Sequence, residues 1–115
     1  MRTDIETLLA SRGCDAAVVL KTETPNPTFN YVVGPGANLS VGVVVWRRGG
    51  RPHLVHGSME RDGAASTGFE LSTYGDRGYR KIAEEEGSGG AAYARFLDEI
   101  LRDLGVSGRL LVDGT

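Results

Sequence analysis

The two histidines, His53 and His56, are the residues that most readily suggest chemistry in this chain. They are three positions apart in a stretch that we predict to be a strand. Successive side chains of a strand point to opposite faces, so an odd spacing separates the two imidazoles. A zinc site would also require further ligands nearby. We therefore predict no metal site here, but a partly exposed edge histidine and a second histidine at the strand end.

Cys14 is the only cysteine in the chain. It cannot form an intramolecular disulfide, which is typical of proteins from a reducing compartment. A cysteine nucleophile usually needs a histidine base and a group that orients the base, and no local motif supplies them. The sequence favours a small residue at the end of the first helix.

Two further segments could attract anions. The Gly-Ser-Gly-Gly stretch at residues 87–90 precedes a predicted helix, and helix N-termini bind phosphate. It lacks the lysine and the spacing of a P-loop and does not follow a strand, so we interpret it as a connection. Arg47, Arg48 and Arg51 concentrate positive charge at a hairpin tip. Three arginines are too few to indicate nucleic-acid binding, and a solvated turn is the simplest interpretation.

The carboxylates suggest one nuclease hypothesis. A ribonuclease-H-type enzyme needs acids around the sheet, including one on a central strand, to hold two divalent metals. The apolar stretch at residues 16–20 carries none, and Asp113 and Glu70 fall at strand ends. The residues alone therefore assign no catalytic, cofactor-binding or metal-ligating side chain in this chain.

Composition limits the class of protein. A chain of 115 residues fits one domain, and 40% hydrophobic with 24% charged residues is ordinary for a globular protein. The net charge of -2 gives no reason to expect a nucleic-acid partner. No apolar run approaches the roughly 18 residues of a membrane span, and the N-terminus lacks the apolar region of a signal peptide. We expect no membrane association and a cytoplasmic location.

Hydrophobic periodicity predicts helices alternating with strands. The predicted helices cover residues 4–12, 28–33, 59–66, 79–86 and 93–104, and the predicted strands cover residues 16–20, 41–46, 54–55, 69–73 and 110–112. Continuously apolar strands, such as the first and the last, are typical of sheets covered by helices on both faces. The order α-β-α-β-β-α-β-α-α-β predicts an α/β domain with a mixed β-sheet flanked by helices.

Three local features refine this prediction. Thr3 and Glu6 form a capping box at the start of the first helix. Gly49-Gly50 supplies a two-residue hairpin turn. Gly57 or Ser58 would cap the helix that follows the hairpin, in which Gly63 costs about 1 kcal/mol relative to alanine.

Six segments, in chain order, resemble one known protein family. They are the strand at residues 15–20, Asn-Tyr-Val-Val-Gly at 30–34, Gly-Gly-Arg-Pro at 49–52, and residues 59–65, 93–97 and 105–109. Together they are similar to the N-terminal domain of the creatinase, prolidase and Xaa-Pro aminopeptidase family, the "pita-bread" peptidases. Val32-Val33 stands where that family more often has Leu-Thr in its Asn…Tyr-Leu-Thr-Gly stretch. The resemblance covers nearly the whole chain and implies a creatinase/prolidase N-terminal-domain-like fold with a ribonuclease-H-like motif.

This resemblance implies that residues 1–115 are a non-catalytic N-terminal domain. In the family a C-terminal domain carries two Asp, one His and two Glu that bind two divalent metal ions, here expected to be Mn, Co or Zn. The parent would be a hydrolase that cleaves the bond before proline in a short peptide. Creatinase uses the same fold without metal, so a creatinase-like reaction also remains open.

The resemblance also implies partners for this domain. They are its own C-terminal catalytic domain and a second subunit of a homodimer, whose active-site entrance the domain helps to shape. The contacts expected here are Gly34, Pro35, Gly36, Ala37 and Asn38.

One alternative belongs to a different functional class. The chain could be a stand-alone small α/β domain that binds a ligand or a protein and catalyses nothing, since a fold does not dictate a function.

Overall fold

A five-stranded mixed sheet lies at the centre of the computed structural model, which describes residues 3–22, 24–87 and 89–114, with only the backbone of Thr3. The strands are β1 (Ala16–Lys21), β2 (Gly42–Arg47), β3 (His53–His56), β4 (Glu70–Thr73) and β5 (Leu110–Asp113). Their order in the sheet is β4-β3-β2-β1-β5. The β1–β2 and β2–β3 pairs are antiparallel, whereas β1–β5 and β3–β4 are parallel.

Helices cover both faces of this sheet. They are α1 (Thr3–Arg12), α2 (Pro27–Val33), α3 (Arg61–Ala65), α4 (Tyr79–Glu86) and α5 (Gly89–Asp103). The first three supply buried side chains to one hydrophobic cluster, and α4 and α5 supply those of the other. The predicted order of elements and the α/β fold class are confirmed.

The core divides according to the alternation of side chains along the strands. On β2, Val44 belongs to the cluster under α1, α2 and α3, whereas Val43 and Val45 belong to the cluster under α4 and α5. Phe29 and Phe96, both fully buried, are the largest side chains of the two clusters. Burying a side chain of this size stabilises the fold by about 1.5–3 kcal/mol. The continuous apolar run of β2 follows from this burial on two faces.

Helix α1 has the predicted position, and the Glu6 side chain contacts the hairpin. Its carboxylate accepts hydrogen bonds from the Trp46 indole Nε1 at 2.9 Å and from the Gly49 backbone N–H at 3.0 Å. Glu6 therefore links α1 to the hairpin. The side chain of Thr3, the other half of the predicted box, lies outside the described residues.

The hairpin loop is longer than the predicted two-residue turn. Pairing between β2 and β3 ends at Val45 and His53, while the last two residues of β2 continue to pair with β1. The end of β2 is thus held by β1 and separates from β3. Gly49 takes the positive φ, at 73°, within the wider loop.

Two other boundaries differ from the prediction. Helix α3 starts at Arg61, because the Glu60 N–H donates to the Gly57 carbonyl in a preceding turn at 3.0 Å. Neither Gly57 nor Ser58 is its cap; the N-cap residue is Glu60. Helix α5 begins at Gly89, so the glycines before Tyr93 form its first turn.

The last strand, β5, was expected to be buried, and this is wrong. It lies at one edge of the sheet, and Val112 is 61% exposed. An apolar sequence does not distinguish a central strand from an edge strand, because that depends on which strands pair with it. Among the described residues, no helix is both long enough and apolar enough to cross a membrane.

Replacing Glu6 with alanine should lower the free energy of unfolding by about 1–2 kcal/mol, because two hydrogen bonds to a charged group are lost. Glu84→Ala is the matched control, since the Glu84 side chain is 72% exposed and its ion pair contributes little. Urea unfolding, followed by the fluorescence of Trp46, measures both. Equal losses in the two variants would contradict the linking role of Glu6.

Candidate functional site

Residues 34–38 form a fixed loop at the C-terminal end of α2. The helix begins with Pro27 after Asn26, whose side-chain oxygen accepts from the backbone N–H groups of Thr28 and Phe29 at 3.0 and 3.3 Å. It ends at Gly34, whose φ of 90° turns the chain away from the helix. The proline and the asparagine set the start of α2, and this glycine sets where the loop leaves it.

Buried anchors hold both ends of this loop. Ala37 and Leu39 are each 3% exposed, and the Lys21 ammonium group donates to the Leu39 carbonyl at 2.9 Å. On the other side, the Glu60 carboxylate accepts from the N–H and the hydroxyl of Ser40 at 2.8 and 3.0 Å. The loop is therefore held by interactions from β1 and from the start of α3.

Helix α3 approaches the same loop closely. A Cβ atom on Gly63 would lie far inside van der Waals distance of the Ala37 carbonyl oxygen. Glycine is required at this position by packing, which outweighs its cost to the helix. The sequence had indicated only that cost.

The exposed part of the loop consists of Pro35, Gly36 and Asn38. Asn38 has a φ of 48°, a left-handed conformation that asparagine tolerates better than most residues and that often occurs at functional sites. A groove of about 220 Å³ lies beside it, lined by Lys21, Asn30 and residues of the loop. The loop offers amide and backbone groups, with the Lys21 ammonium group in the groove wall. It can bind a partner or a ligand, and it supplies no acid, base or nucleophile.

A second polar cluster surrounds His53. Its Nε2 lies 2.8 Å from the Ser72 hydroxyl and 3.3 Å from Nη2 of Arg77, and its Nδ1 lies 3.6 Å from the Glu70 carboxylate. Arg47 binds the same Glu70 oxygen at 3.2 Å. The cluster joins β2, β3, β4 and the loop that follows β4.

Both histidines are buried, which corrects the prediction of a partly exposed edge histidine. His53 is 7% exposed and His56 is 3% exposed. The reason is that β3 lies between β2 and β4 rather than at the edge. Their odd spacing does place them on opposite faces, since Leu54 and Val55 between them belong to different core clusters.

Burial is the main cause that lowers the pKa of His53, and the positive charge of Arg77 lowers it further. The Glu70 carboxylate, 3.6 Å from Nδ1, opposes this shift, and Arg47 adds a smaller lowering of the pKa. The imidazole is therefore neutral at pH 7. Because the Arg77 guanidinium group beside Nε2 can only donate, Nε2 is the unprotonated nitrogen and accepts from the Ser72 hydroxyl as well.

The cluster places a hydroxyl, an imidazole and a carboxylate in the order of a hydrolase triad: Ser72, His53 and Glu70. The Ser72 hydroxyl and the His53 imidazole, however, also contact Arg77. Arg77 Nε donates to the Ser72 oxygen at 2.8 Å, and its Nη1 binds Asp103 at 2.8 Å. A serine nucleophile must be free to approach a substrate carbon. Here a guanidinium group lies against both the hydroxyl and the imidazole, so the cluster serves as a structural link.

The other candidates from the sequence are separate from these two clusters. Cys14 is buried in the core at the end of α1, with its sulfur 3.8 Å from the Arg12 carbonyl, as predicted for a small structural residue. Glu70 and Asp113 lie on strands at opposite edges of the sheet, so they do not converge as nuclease ligands would.

The arginines of the hairpin are used by the fold. Arg47 donates to the Leu104 carbonyl at 3.2 Å and Arg51 to the Gly68 carbonyl at 2.9 Å, while Arg48 is exposed. The glycines of residues 87–90 are only partly a connection: Gly87 ends α4 in a left-handed conformation, whereas Gly89 and Gly90 already belong to α5, and Ser88 lies outside the described residues.

Within residues 3–22, 24–87 and 89–114, no three His, Cys, Asp or Glu side chains come together where they could hold a metal ion. The residues of the His53 cluster were not identified from the sequence as a group. Ser72 lies on β4, and Arg77 lies in the loop that follows β4. In the sequence, α3 separates both residues from β3, which carries His53. No local spacing in the sequence connects these two positions with His53.

Comparison with solved structures identifies a neighbour of this fold. The chain is similar to a dipeptidase from Pyrococcus horikoshii OT3, with a TM-score of 0.57 and 21% sequence identity. The match covers 98% of this chain and 28% of the dipeptidase chain. A scan against protein-family models finds no match, and a search of curated proteins finds none either. At this identity the likeness establishes the fold alone.

Gly63→Ala should destabilise the protein by about 1–3 kcal/mol, because the added methyl group collides with the Ala37 carbonyl. Gly90→Ala is the control: it lies in the first turn of α5 with open space around its Cβ position, and should be neutral or slightly stabilising. Urea unfolding compares the two. A loss in Gly63→Ala no larger than in the control would show that α3 does not require glycine at this contact.

The lowered pKa of His53 makes stability depend on pH below neutrality. The unfolded chain takes up its proton near pH 6.5 while the folded protein does not, so the free energy of unfolding should fall as pH decreases from 7 through this range. Hydrogen bonds with Thr73 and Arg95 lower the pKa values of Asp76 and Glu85 from their ordinary values of 3.8 and 4.5. These two carboxylates therefore change the free energy of unfolding mainly at a more acidic pH than His53 does.

The window between pH 5 and 7.5 therefore isolates the histidine effect. His53→Gln should flatten the dependence of the urea midpoint on pH in this window, because glutamine does not titrate. An unchanged slope in this variant would contradict the assignment to His53.

Proposed function

We propose that this chain is the N-terminal accessory domain of a peptidase-like protein. The observation that carries the proposal is the match to the dipeptidase, which extends over 98% of this chain and only 28% of that one. Among the described residues no three acids, histidines or cysteines converge on a metal site, which fits an accessory role. The catalytic domain would then belong to a further part of the same polypeptide.

The proposal includes a specific activity for the parent protein. It would hydrolyse the bond before proline in short peptides, acting as a Xaa-Pro aminopeptidase or dipeptidase in the cytoplasm. Two divalent ions, Mn, Co or Zn, would be held by the catalytic domain. The described residues of this chain do not fit a metal site of their own, so no step of the reaction is assigned to them.

Within this proposal, residues 34–38 contact the active-site entrance of the second subunit in a homodimer. Three features of the loop support this role: its buried anchors, its exposed Pro35 and Gly36, and the left-handed conformation of Asn38. A loop that is fixed before association loses little conformational entropy on binding. It can therefore position the edge of a neighbouring site accurately.

The gene sequence beyond codon 115 provides the first test. The reading frame should continue for about one to two further domains and encode an Asp, Asp, His, Glu, Glu set. A stop codon directly after Thr115 would contradict the proposal. The chain would then be a stand-alone binding domain.

The loop is tested in the full-length enzyme with a Xaa-Pro dipeptide and Mn²⁺. Asn38→Gly keeps the left-handed backbone accessible and removes the amide group, so KM should rise several-fold while kcat changes little. Met59→Gly is the control, since Met59 is 96% exposed in a turn before α3. Equal KM values in the two variants would exclude a role of Asn38 at the entrance.

A further inference from the structure

Three arginines from distant parts of the sequence meet at one end of the sheet, beside the start of β1. The Arg48 N–H donates to the Asp15 carbonyl at 2.9 Å, and the Asp15 N–H donates to the Arg109 carbonyl at 2.7 Å. Arg48 and Arg109 therefore flank Asp15, one on the β2 side and one on the β5 side. Because neighbouring strands are about 4.8 Å apart, their backbones are separated by about 10 Å. Arg12, the last residue of α1, shortly precedes Asp15 in the sequence.

The charges of these arginines are not compensated within the described part of the chain. All three residues are exposed, and none of them forms an ion pair with a described carboxylate. By contrast, an ion pair with a glutamate or an aspartate is formed by each of Arg47, Arg77, Arg80, Arg95 and Arg102. The guanidinium groups beside the start of β1 are therefore available to a partner outside the chain.

Two acidic side chains at this end of the sheet are already bound by the fold. Asp15 Oδ2 accepts from the Arg109 backbone N–H at 2.8 Å, and a Cβ atom on Gly108 would collide with the same carboxylate. The Glu6 carboxylate accepts from an indole and a backbone N–H of the hairpin. Both carboxylates thus bind N–H groups of the fold rather than the three guanidinium groups.

The chemistry of this end suits the carboxylates of a protein. A guanidinium group binds a carboxylate through two parallel N–H donors. Arginine is enriched at protein interfaces and lysine is depleted there, and Lys21 and Lys81 lie elsewhere, at the end of β1 and on α4. A nucleic acid fits less well, because the net charge of the chain is -2 and the acidic Asp15 lies in the middle of the row.

We propose that Arg12, Arg48 and Arg109 form a docking surface for an acidic, extended segment of a partner protein. In an extended chain, side chains three residues apart are separated by about 10 Å, which matches the separation of Arg48 and Arg109. Such a segment places one carboxylate at each of these two arginines and a third at Arg12. The three ion pairs act together, since one exposed pair contributes little by itself.

This docking surface is separate from the loop at residues 34–38. Lys21, which holds that loop, ends β1, whereas Asp15 precedes the start of the same strand. Strand β5 runs parallel to β1, so it begins beside the docking surface and leads away from it. The polypeptide that follows β5 in the proposed parent starts at the opposite end of the sheet. The docking surface therefore depends neither on peptidase activity nor on a second subunit.

Titration of the isotope-labelled 115-residue chain, followed by NMR, tests the proposal. The probe is a short peptide of glycine and serine with glutamate at every third position, and the same peptide with glutamine at these positions is its control. At low salt the glutamate peptide should bind with a Kd below about 1 mM and shift the amide signals of Asp15, Arg48 and Arg109. The glutamine peptide should not bind. Binding of the glutamate peptide should weaken at about 150 mM salt, because exposed ion pairs are screened.

Substitutions test which arginines bind the peptide. Arg48→Gln and Arg109→Gln should each raise the Kd about 3-fold, because each variant loses one ion pair. Arg80→Gln is the matched control: it removes the same charge from α4, where the side chain is 94% exposed, and should leave the Kd unchanged. Thermal melting followed by circular dichroism verifies that each variant is folded.

Several outcomes would overturn the proposal. They are an absence of binding, amide shifts centred on α4 and α5, and a loss of affinity in Arg80→Gln equal to that in Arg48→Gln. A thymidine oligonucleotide with three phosphates is the competing probe. If it shifts the same amides and binds more tightly than the glutamate peptide, the surface recognises nucleic acid and the proposal is wrong. None of these results affects the reading frame beyond codon 115 or the KM effect of Asn38→Gly.

Discussion

Burial of β1 and β2 on both faces is the constraint on which the rest of this structure depends. Val18 and Val45 are paired across the two strands on one face, and Val19 and Val44 are paired on the other. Both faces must be removed from water, so helices are required on each side of the sheet. The short helix α3 can serve as part of one layer only because Gly63 allows it to approach the Ala37 carbonyl.

The same constraint explains why polar groups of this fold are bound to one another. A buried polar group is costly unless it has a hydrogen-bond partner, and Nε2 of the neutral His53 imidazole lies against Ser72 and Arg77 where β3 and β4 meet. Arg77 also donates to the Ser72 hydroxyl and binds Asp103, so a guanidinium group holds both the possible base and the possible nucleophile in place. The functional potential of the chain is consequently found at its surface, in the loop at residues 34–38.

Local pattern predicted most of the fold, and long-range contacts account for what it missed. The sequence predicted β1, β2 and α5 because their buried positions carry apolar residues, and residue types show this directly. Glu6 was assigned to a capping box because Thr3 precedes it at the right spacing. Its partners, Trp46 and Gly49, are about 40 residues away in the chain, and no local spacing indicates them. The burial of His53 was missed for a similar reason, since β4 joins β3 only after α3.

The discrepancy at β5 is the most informative of these differences. Leu110, Leu111 and Val112 have the composition of a strand covered on both faces, yet Val112 is 61% exposed at the sheet edge. Soluble proteins usually protect such edges with charges, proline or a covering element. Leu111 packs against the core cluster under α1, α2 and α3, so part of this apolar composition reflects the contacts of the strand with the core. The position of β5 at the sheet edge depends on which strands pair with it, and residue types do not show this.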